Sequence, residues 1–287
     1  MLCSHLGFSQ RPALTGPQLR VLTHRVRTAK REDPDSRLGL LHLMALGYTR
    51  EEAQRILGLM SEENLTRQYL KAGEKADCQP VALVNPKYPA LLKHRLGEDS
   101  PGCLWAKGDL SLLEKPAVAV VGSRTPTAET ERFAVAAGIA AAQQGYVLVS
   151  GNAPGVDKLA QNAALHQGGS VISVVADELA SKEKRENVLY LSELDYDMGF
   201  SAQRALSRNR VIHCLGQKVL VCQCRVGKGG TWNGAVNNLK KGWSPVFCFD
   251  DGTEGALELQ DRGAKLIGHR QLQDLQALSQ DQQSLFE

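Results

Sequence analysis

Ala117-Val-Ala-Val-Val-Gly-Ser-Arg124 is the stretch that decides the fold. Its apolar run follows Pro116, and a short apolar run bounded by a turn signal predicts a strand buried on both faces. Gly122-Ser123-Arg124 ends the strand, and a helical pattern follows. Glycine lets the backbone approach a ligand, a helix N-terminus offers unpaired N–H groups, and Arg124 adds a bidentate phosphate donor. The stretch predicts an anion site or, as the alternative, a plain strand-to-helix turn with an exposed arginine.

Strands and helices alternate from residue 117 onward. Apolar runs predict further strands at 146–150, 170–175, 187–193, 218–222 and 245–249. Helical patterns predict helices that include 128–144, 204–215 and 232–241. This order predicts an α/β fold, a mostly parallel sheet with helices on both faces and right-handed crossovers.

Three segments are predicted along the chain. Residues 1–78 hold a basic cluster, Arg20 to Arg31, and a small helical module. Such a cluster is more often solvated surface than a phosphate contact, and such a module serves packing or protein contact at least as often as DNA binding. Residues 79–269 hold the α/β domain, and residues 270–287 are predicted to form a polar helical tail.

Composition excludes several classes of protein. The chain has 287 residues, 43% hydrophobic and 23% charged, which is typical of a globular protein. A net charge of +3 permits a nucleic-acid partner without requiring one. There is no secretory signal pattern and no apolar run of membrane-spanning length. The seven cysteines have no disulfide-framework spacing, so we expect reduced thiols, a cytoplasmic location, no structural metal and no cofactor.

Three glycine-containing turns follow predicted strands: Gly122-Ser-Arg124, Ser150-Gly151 and Gly227-Lys-Gly-Gly-Thr231. Ligands of open parallel sheets bind outside the carboxyl ends of the strands, so these turns are expected to converge. Arg208-Asn-Arg210 adds side chains suited to phosphates or base edges, or alternatively to a buried structural network. The candidate phosphate-binding residues are Gly122, Ser123, Arg124, Ser150, Gly151, Arg208, Asn209, Arg210, Lys228, Gly229, Gly230 and Thr231.

No motif predicts catalysis. The first strand is not followed by G-x-G-x-x-G, and Lys228 precedes its glycine pair, unlike a Walker A lysine. There is no G-x-S-x-G elbow. Asp157 is expected to cap a helix, and Glu193 to order the Arg208/Arg210 cluster as an ion-pair partner. No catalytic residue is predicted.

A set of motifs occurs in order over about residues 88–267. They are Tyr88-Pro-Ala-Leu-Leu, Leu104-Trp-Ala-Lys-Gly-Asp109, Val121-Gly-Ser-Arg-Thr-Pro-Thr127, Ser150-Gly151, Gly155-Val-Asp157, Ala163-Ala-Leu165, Gly168-Gly169, Ser192-Glu193, Arg208-Asn-Arg-Val-Ile212 and Gly263-Ala264. Together they resemble the DNA-processing protein A (DprA/Smf) family.

This resemblance implies an extended Rossmann-like domain that binds single-stranded DNA without enzymatic activity. It further implies protection of DNA taken up in natural transformation, loading of a RecA-type recombinase, and a homodimer. It places Ser123, Arg124, Arg208 and Lys228 in or near a basic pocket for phosphates.

The chain also departs from the family pattern. Pro154 stands where the family has arginine, Gln161 where it has histidine, and Ala205-Leu206 where it has an aromatic-proline pair. Few residues follow Ile267, so we expect a divergent member that lacks the C-terminal winged-helix domain of many relatives.

Two other functions compete with DNA binding. Gly229-Gly230-Thr231 at a helix start resembles lysine-decarboxylase-like phosphoribohydrolases, but no glutamate follows it. Sensing of a nucleotide-like small molecule therefore stays an alternative to hydrolysis. The third possibility is a structural partner protein with a degenerate pocket.

Overall fold

The described residues, 13–29 and 38–278 of a computed structural model, contain one nine-stranded sheet. Its strands are β1 (Gln79–Ala82), β2 (Cys103–Lys107), β3 (Ala117–Gly122), β4 (Val147–Ser150), β5 (Val171–Val175), β6 (Val188–Ser192), β7 (Lys218–Cys222), β8 (Val246–Phe249) and β9 (Lys265–Ile267). The α-helices are α1 (Gly16–Thr28), α2 (Leu40–Ala45), α3 (Arg50–Ser61), α4 (Glu63–Lys75), α5 (Ala90–Leu96), α6 (Ala128–Gln143), α7 (Val156–His166), α8 (Ala202–Ser207), α9 (Asn209–Leu215), α10 (Gly229–Lys241) and α11 (Glu254–Asp261).

The strands lie in the order β1-β2-β6-β5-β4-β3-β7-β8-β9. All pairs from β6 to β9 are parallel, whereas β1 and β2 join the edge beside β6 as antiparallel strands. Successive residues of β3 enter different cores, Ala119 on one face and Val118 on the other, so helices cover both faces. The predicted mostly parallel α/β fold is confirmed.

The chain order reverses at β3, which pairs with β4 on one side and β7 on the other. Helices that follow these strands leave toward opposite faces of the sheet, and the reversal opens a crevice at the carboxyl ends. The loops that follow β3, β4 and β7 all carry predicted site residues.

The N-terminal helices divide between two cores. Helices α1 to α3 surround their own cluster, which includes Leu22, Leu43 and Ile56. Helix α4 instead packs on the sheet, where the ring of Tyr69 meets Trp105 edge-on at 5.7 Å. The predicted boundary at residue 78 stays a prediction, although α4 contributes to the core of the α/β domain.

The predicted basic cluster is described only in part. Arg25 lies over the ring of Tyr48, 4.6 Å from its centroid. The side chain of Arg20 and residues Lys30 and Arg31 lie outside the described residues.

Two predicted elements differ from the structure. The predicted helix over 204–215 breaks at Arg208, which separates α8 from α9. Residues His269–Gln273 form a short 3-10 helix, and residues 274–278 continue without a helix in place of the predicted polar tail. This segment is not a helical tail because it packs on the α/β domain. Leu272 and Leu275 are buried, and Lys218 Nζ donates to the Leu278 carbonyl at 3.0 Å. Residues 279–287 of that tail lie outside the described residues.

A buried polar network fixes α9 against α10. Asn238 Nδ2 lies 3.0 Å from His213 Nδ1 and donates to Ser244 Oγ at 2.9 Å. The Ser244 hydroxyl in turn donates to the His213 carbonyl at 2.9 Å. Burial lowers the pKa of His213 to about 4, so its ring is neutral at pH 7.

Acid should therefore destabilise the protein through His213. Its pKa of about 4 lies below the ordinary 6.5, so the unfolded chain binds the proton first and stability is lost as pH falls from 6.5 toward 4. Urea denaturation should show a loss of about 2 kcal/mol in unfolding free energy between about pH 7 and about pH 5. His213→Asn should remove this part of the pH dependence, and substitution of the exposed His166 should leave it in place. An unchanged pH dependence in His213→Asn would contradict the assignment.

Candidate phosphate-binding site

The end of β3 is clamped between β7 and α7. A Cβ at Gly122 would lie 2.1 Å from the Cys222 carbonyl oxygen and 2.7 Å from a methyl group of Val156, so only glycine fits. The Ser123 N–H donates to the Cys222 carbonyl at 3.1 Å, and the Ser123 carbonyl accepts from the Val156 N–H at 3.1 Å. The Ser123 hydroxyl accepts from the Thr125 N–H at 3.1 Å. These bonds hold the loop in place and leave Arg124 exposed beside it.

Asp157 organises the loop that follows β4. One carboxylate oxygen accepts the backbone N–H groups of Gly151 at 3.0 Å and Ala153 at 3.3 Å. The expected role as a helix cap is wrong, because Gly155 is the N-cap residue of α7 and Asp157 lies inside its first turn. The sequence places a carboxylate near the helix start, but it does not show that the side chain turns back to the loop.

Arg208 lies against that loop at the break between α8 and α9. A Cβ at Gly151 would come within 1.5 Å of Arg208 Nη1, so the guanidinium occupies the space that a side chain would need. Only 6% of Arg208 is exposed, and its Nε and Nη1 have no hydrogen-bond partner among the described residues. The site thus holds a buried cation with unused donors.

The buried charges of Asp157 and Arg208 stabilise the ionised form of each other. Burial lowers the pKa of Arg208, and the Asp157 carboxylate opposes this shift. Burial likewise raises the pKa of Asp157, and the charge of Arg208 opposes it. Because each charge offsets part of the other's desolvation, removing one leaves the other uncompensated.

A cavity of about 180 Å³ opens beside these groups, where the loops after β4 and β5 begin. It is lined by Arg124, Gly151, Asn152, Ala153, Pro154, Ala176, Asp177, Phe200 and Arg208. Asp177 brings a carboxylate to the wall, but it forms an ion pair with Lys182 at 2.5 Å. Two arginines therefore dominate the charge of the cavity and suit it to an anion.

The N-terminus of α10 faces the end of β3. The Thr231 hydroxyl donates to the Gly122 carbonyl at 2.8 Å, which fixes the first turn of α10 at the carboxyl edge of the sheet. Lys228 is the exposed N-cap residue, and within the described residues no side chain caps this helix. The first-turn N–H groups and the helix dipole are thus available to a negative group.

Other predicted residues have structural contacts. Asn209 donates to the Gly230 carbonyl at 3.0 Å, and Arg210 forms an ion pair with Glu193 and donates to the Asp99 carbonyl. Glu193 thus orders Arg210, as expected, whereas within the described residues no hydrogen bond or ion pair joins Glu193 to Arg208. Ser150 is fully buried. Phosphate contacts by Ser150, Asn209 and Arg210 stay predictions.

The structure also contains an aromatic residue and a cleft at this edge of the sheet that sequence reasoning missed. Phe200 lines the arginine cavity, although its own segment contains no motif. A larger cleft of about 420 Å³ lies between α8 and α10. It is lined by Gln203, Leu206, Ser207, Asn209, Arg210, Gly230, Asn233, Gly234, Asn237 and Trp243. Spacing of Gln203 with Ser207 and of Asn233 with Asn237 by four residues is the signal that could have shown two facing helix surfaces.

Metal-ligand clusters and membrane-spanning helices are both absent from residues 13–29 and 38–278. In these ranges no cluster of three histidine, cysteine or acidic side chains could hold a metal ion. Nor does this part of the chain contain a helix long and apolar enough to cross a membrane. Cys214, Cys222 and Cys248 are buried.

Comparison with known proteins decides the family. The profile described as DNA recombination-mediator protein A matches residues 79–278. The chain belongs to this family. The DprA/Smf resemblance is thereby confirmed.

Relatives within the family span much of the chain. The DNA processing protein DprA of Bacillus subtilis is 30% identical over 213 residues, which cover 69% of this chain and 71% of that protein. Matches to the relatives from Streptococcus pneumoniae and Escherichia coli cover 64% and 49% of those proteins.

Two solved family structures are similar to this fold. DprA from Streptococcus pneumoniae has a TM-score of 0.71 at 26% identity and covers 88% of this chain and 90% of its own. DprA from Helicobacter pylori has a TM-score of 0.58 at 28% identity and covers 69% of this chain and 94% of its own. The Helicobacter protein has a single-stranded DNA binding mode that is described as unique.

The contact between Gly151 and Arg208 predicts how substitutions at the two residues change the free energy of unfolding. Gly151→Ala should lower the free energy of unfolding by about 1–3 kcal/mol, because its methyl group overlaps the guanidinium. Arg208→Ala should cost about 3–5 kcal/mol, because Asp157 is left buried without its cation. The double variant should lose less than the sum, since the overlap no longer exists. Urea denaturation measures all three.

Gly199→Ala is the matched control for the Gly151 and Arg208 variants, because a Cβ at Gly199 meets nothing within 4 Å. It should leave the free energy of unfolding nearly unchanged. Additive losses in the Gly151/Arg208 double variant would contradict the described contact.

Proposed function

We propose that the protein binds single-stranded DNA through its phosphates and acts as a recombination mediator. The observation that carries the proposal is the guanidinium of Arg208, which is buried in an arginine-lined cavity with two N–H-bearing nitrogens lacking partners among the described residues. The phosphates would contact Arg208, the exposed Arg124 and the first turn of α10.

The energetics favour a phosphate at this position. A buried donor without a partner costs about 1–3 kcal/mol. Because Arg208 Nε and Nη1 are both buried, a phosphate recovers that cost once the guanidinium turns toward the cavity. A guanidinium matches two phosphate oxygens at once, and the start of α10 adds N–H groups and a partial positive charge. Contacts of this kind do not read bases, so binding should tolerate any sequence.

Family membership supports the rest of the proposal. The family is described as a recombination mediator, and a relative is described as binding single-stranded DNA. We therefore propose binding rather than catalysis, with a RecA-type recombinase as partner, a homodimer as the assembly, a cytoplasmic location and a role in the processing of DNA taken up in transformation. Light scattering would test the homodimer, and strand-exchange assays would test the recombinase partner.

A nucleotide-like ligand is the second candidate. The arginine cavity of about 180 Å³ has room for only a small part of a DNA strand, and the phosphate of one nucleotide would satisfy the same donors. A mononucleotide that competes with oligo-dT at the same residues would favour this candidate.

Fluorescence anisotropy with oligo-dT at about 50 mM and about 200 mM salt tests DNA binding. Wild-type affinity should fall steeply with salt. Arg124→Ala/Lys228→Ala should bind more weakly and should reduce the slope of log affinity against log salt by about 1.4, since each lost contact with a single strand removes about 0.7.

The control removes the same charge elsewhere. Arg132 is exposed on α6, and the exposed Lys241 ends α10, about 20 Å along the helix from Lys228. Arg132→Ala/Lys241→Ala should keep most of the affinity and slope. If the two double variants lost the same affinity, the loss would come from the lower net charge and not from the positions of Arg124 and Lys228. Failure of the wild type to bind oligo-dT at low salt would exclude the DNA proposal.

A further inference from the structure

Phe200 stands out because it is exposed beside the arginine cavity. It lines the same cavity as Arg124 and Arg208, and 61% of its surface is accessible. Among the described residues, no other Phe, Tyr or Trp is exposed to this degree. Burial of a phenyl ring is favourable, so its exposure next to a proposed ligand site needs a reason.

The backbone that leads to Phe200 is held firmly. The buried Arg204 guanidinium donates to the carbonyls of Met198 and Gly199 and to Ser192 Oγ, the last at 3.1 Å. Directly after Phe200, the Ser201 hydroxyl accepts from the Arg204 N–H at 3.1 Å and caps α8. The ring is therefore presented to solvent from an anchored backbone, which reduces the entropy lost when a ligand packs on it.

Further contacts anchor the same segment to the body of the protein. The Tyr196 hydroxyl donates to the Tyr69 carbonyl at 3.1 Å, and the Tyr69 hydroxyl bonds to Asp197 at 2.5 Å. The Tyr196 ring also packs on Trp105, with 4.6 Å between ring centroids. The segment before Phe200 is thus fixed from α4 as well as from α8.

We propose that the Phe200 ring stacks on a base of the DNA strand whose phosphate lies at Arg124 and Arg208. This inference rests on the proposed function and assigns the base contact within it. Single-strand binders combine a cationic groove with aromatic rings on which bases stack. A phenyl ring carries no hydrogen-bonding group, so the contact accepts every base.

The test compares strands with and without bases. Anisotropy is measured with oligo-dT and with an abasic strand of equal length, for wild type and Phe200→Ala. Phe200→Ala should weaken oligo-dT binding about tenfold, with the salt slope unchanged because the phosphate contacts remain. On the abasic strand the two proteins should bind equally.

Phe200→Tyr should keep the affinity for oligo-dT, whereas Phe200→Leu, which is apolar but has no π face, should lose most of the stacking contribution.

Val84→Ala is the matched control, because Val84 is 84% exposed and lies outside both cavities. It should bind both strands like wild type, and thermal unfolding by circular dichroism should show that all variants are folded. Unchanged oligo-dT binding by Phe200→Ala would overturn the stacking and leave the ring available to a protein partner. Equal losses on the two strands would also overturn it, because the ring would then act on the phosphate site. If wild type itself fails to bind oligo-dT at low salt, the proposed function fails first and the stacking with it.

Discussion

The contact between the Arg208 guanidinium and the backbone of Gly151 is the constraint on which the site depends. A cation can occupy this buried position because Gly151 has no side chain and because Asp157 supplies the opposite charge. Asp157 also holds the N–H groups of Gly151 and Ala153, so one carboxylate shapes the loop and offsets the arginine. The result is a preformed positive site, and an anion reaches the buried Nε and Nη1 of Arg208 only if the groups around the guanidinium move.

The rest of the fold brings further donors to the same edge of the sheet. Glycine at 122 lets β3, β7 and α7 meet closely, and the Thr231 hydroxyl ties α10 to the same strand end. Asn209 joins the start of α9 to the start of α10, while the His213 network fixes the two helices further along. Packing of small side chains and buried hydrogen bonds therefore determines where the cationic groups lie.

Sequence reasoning predicted the parts of this arrangement that depend on local pattern. Apolar runs located the central strands. Gly122 and Gly151 lie at the ends of β3 and β4, and Gly229 and Gly230 open α10, the helix that follows β7. It did not predict the break at Arg208, because the helical pattern continues through that residue and its backbone keeps helical dihedrals (φ −65°, ψ −18°). The edge pairing of β1 with β2, the turn-back of Asp157 and the exposure of Phe200 depend on long-range contacts that spacing does not encode.

A crystal structure of the protein bound to a short oligo-dT would test the central claim most directly. The account predicts a backbone phosphate at the arginine cavity, with its oxygens within hydrogen-bond distance of Arg124 and Arg208 and with neighbouring density at the first turn of α10. A strand bound on another surface, with no phosphate at these residues, would contradict the account.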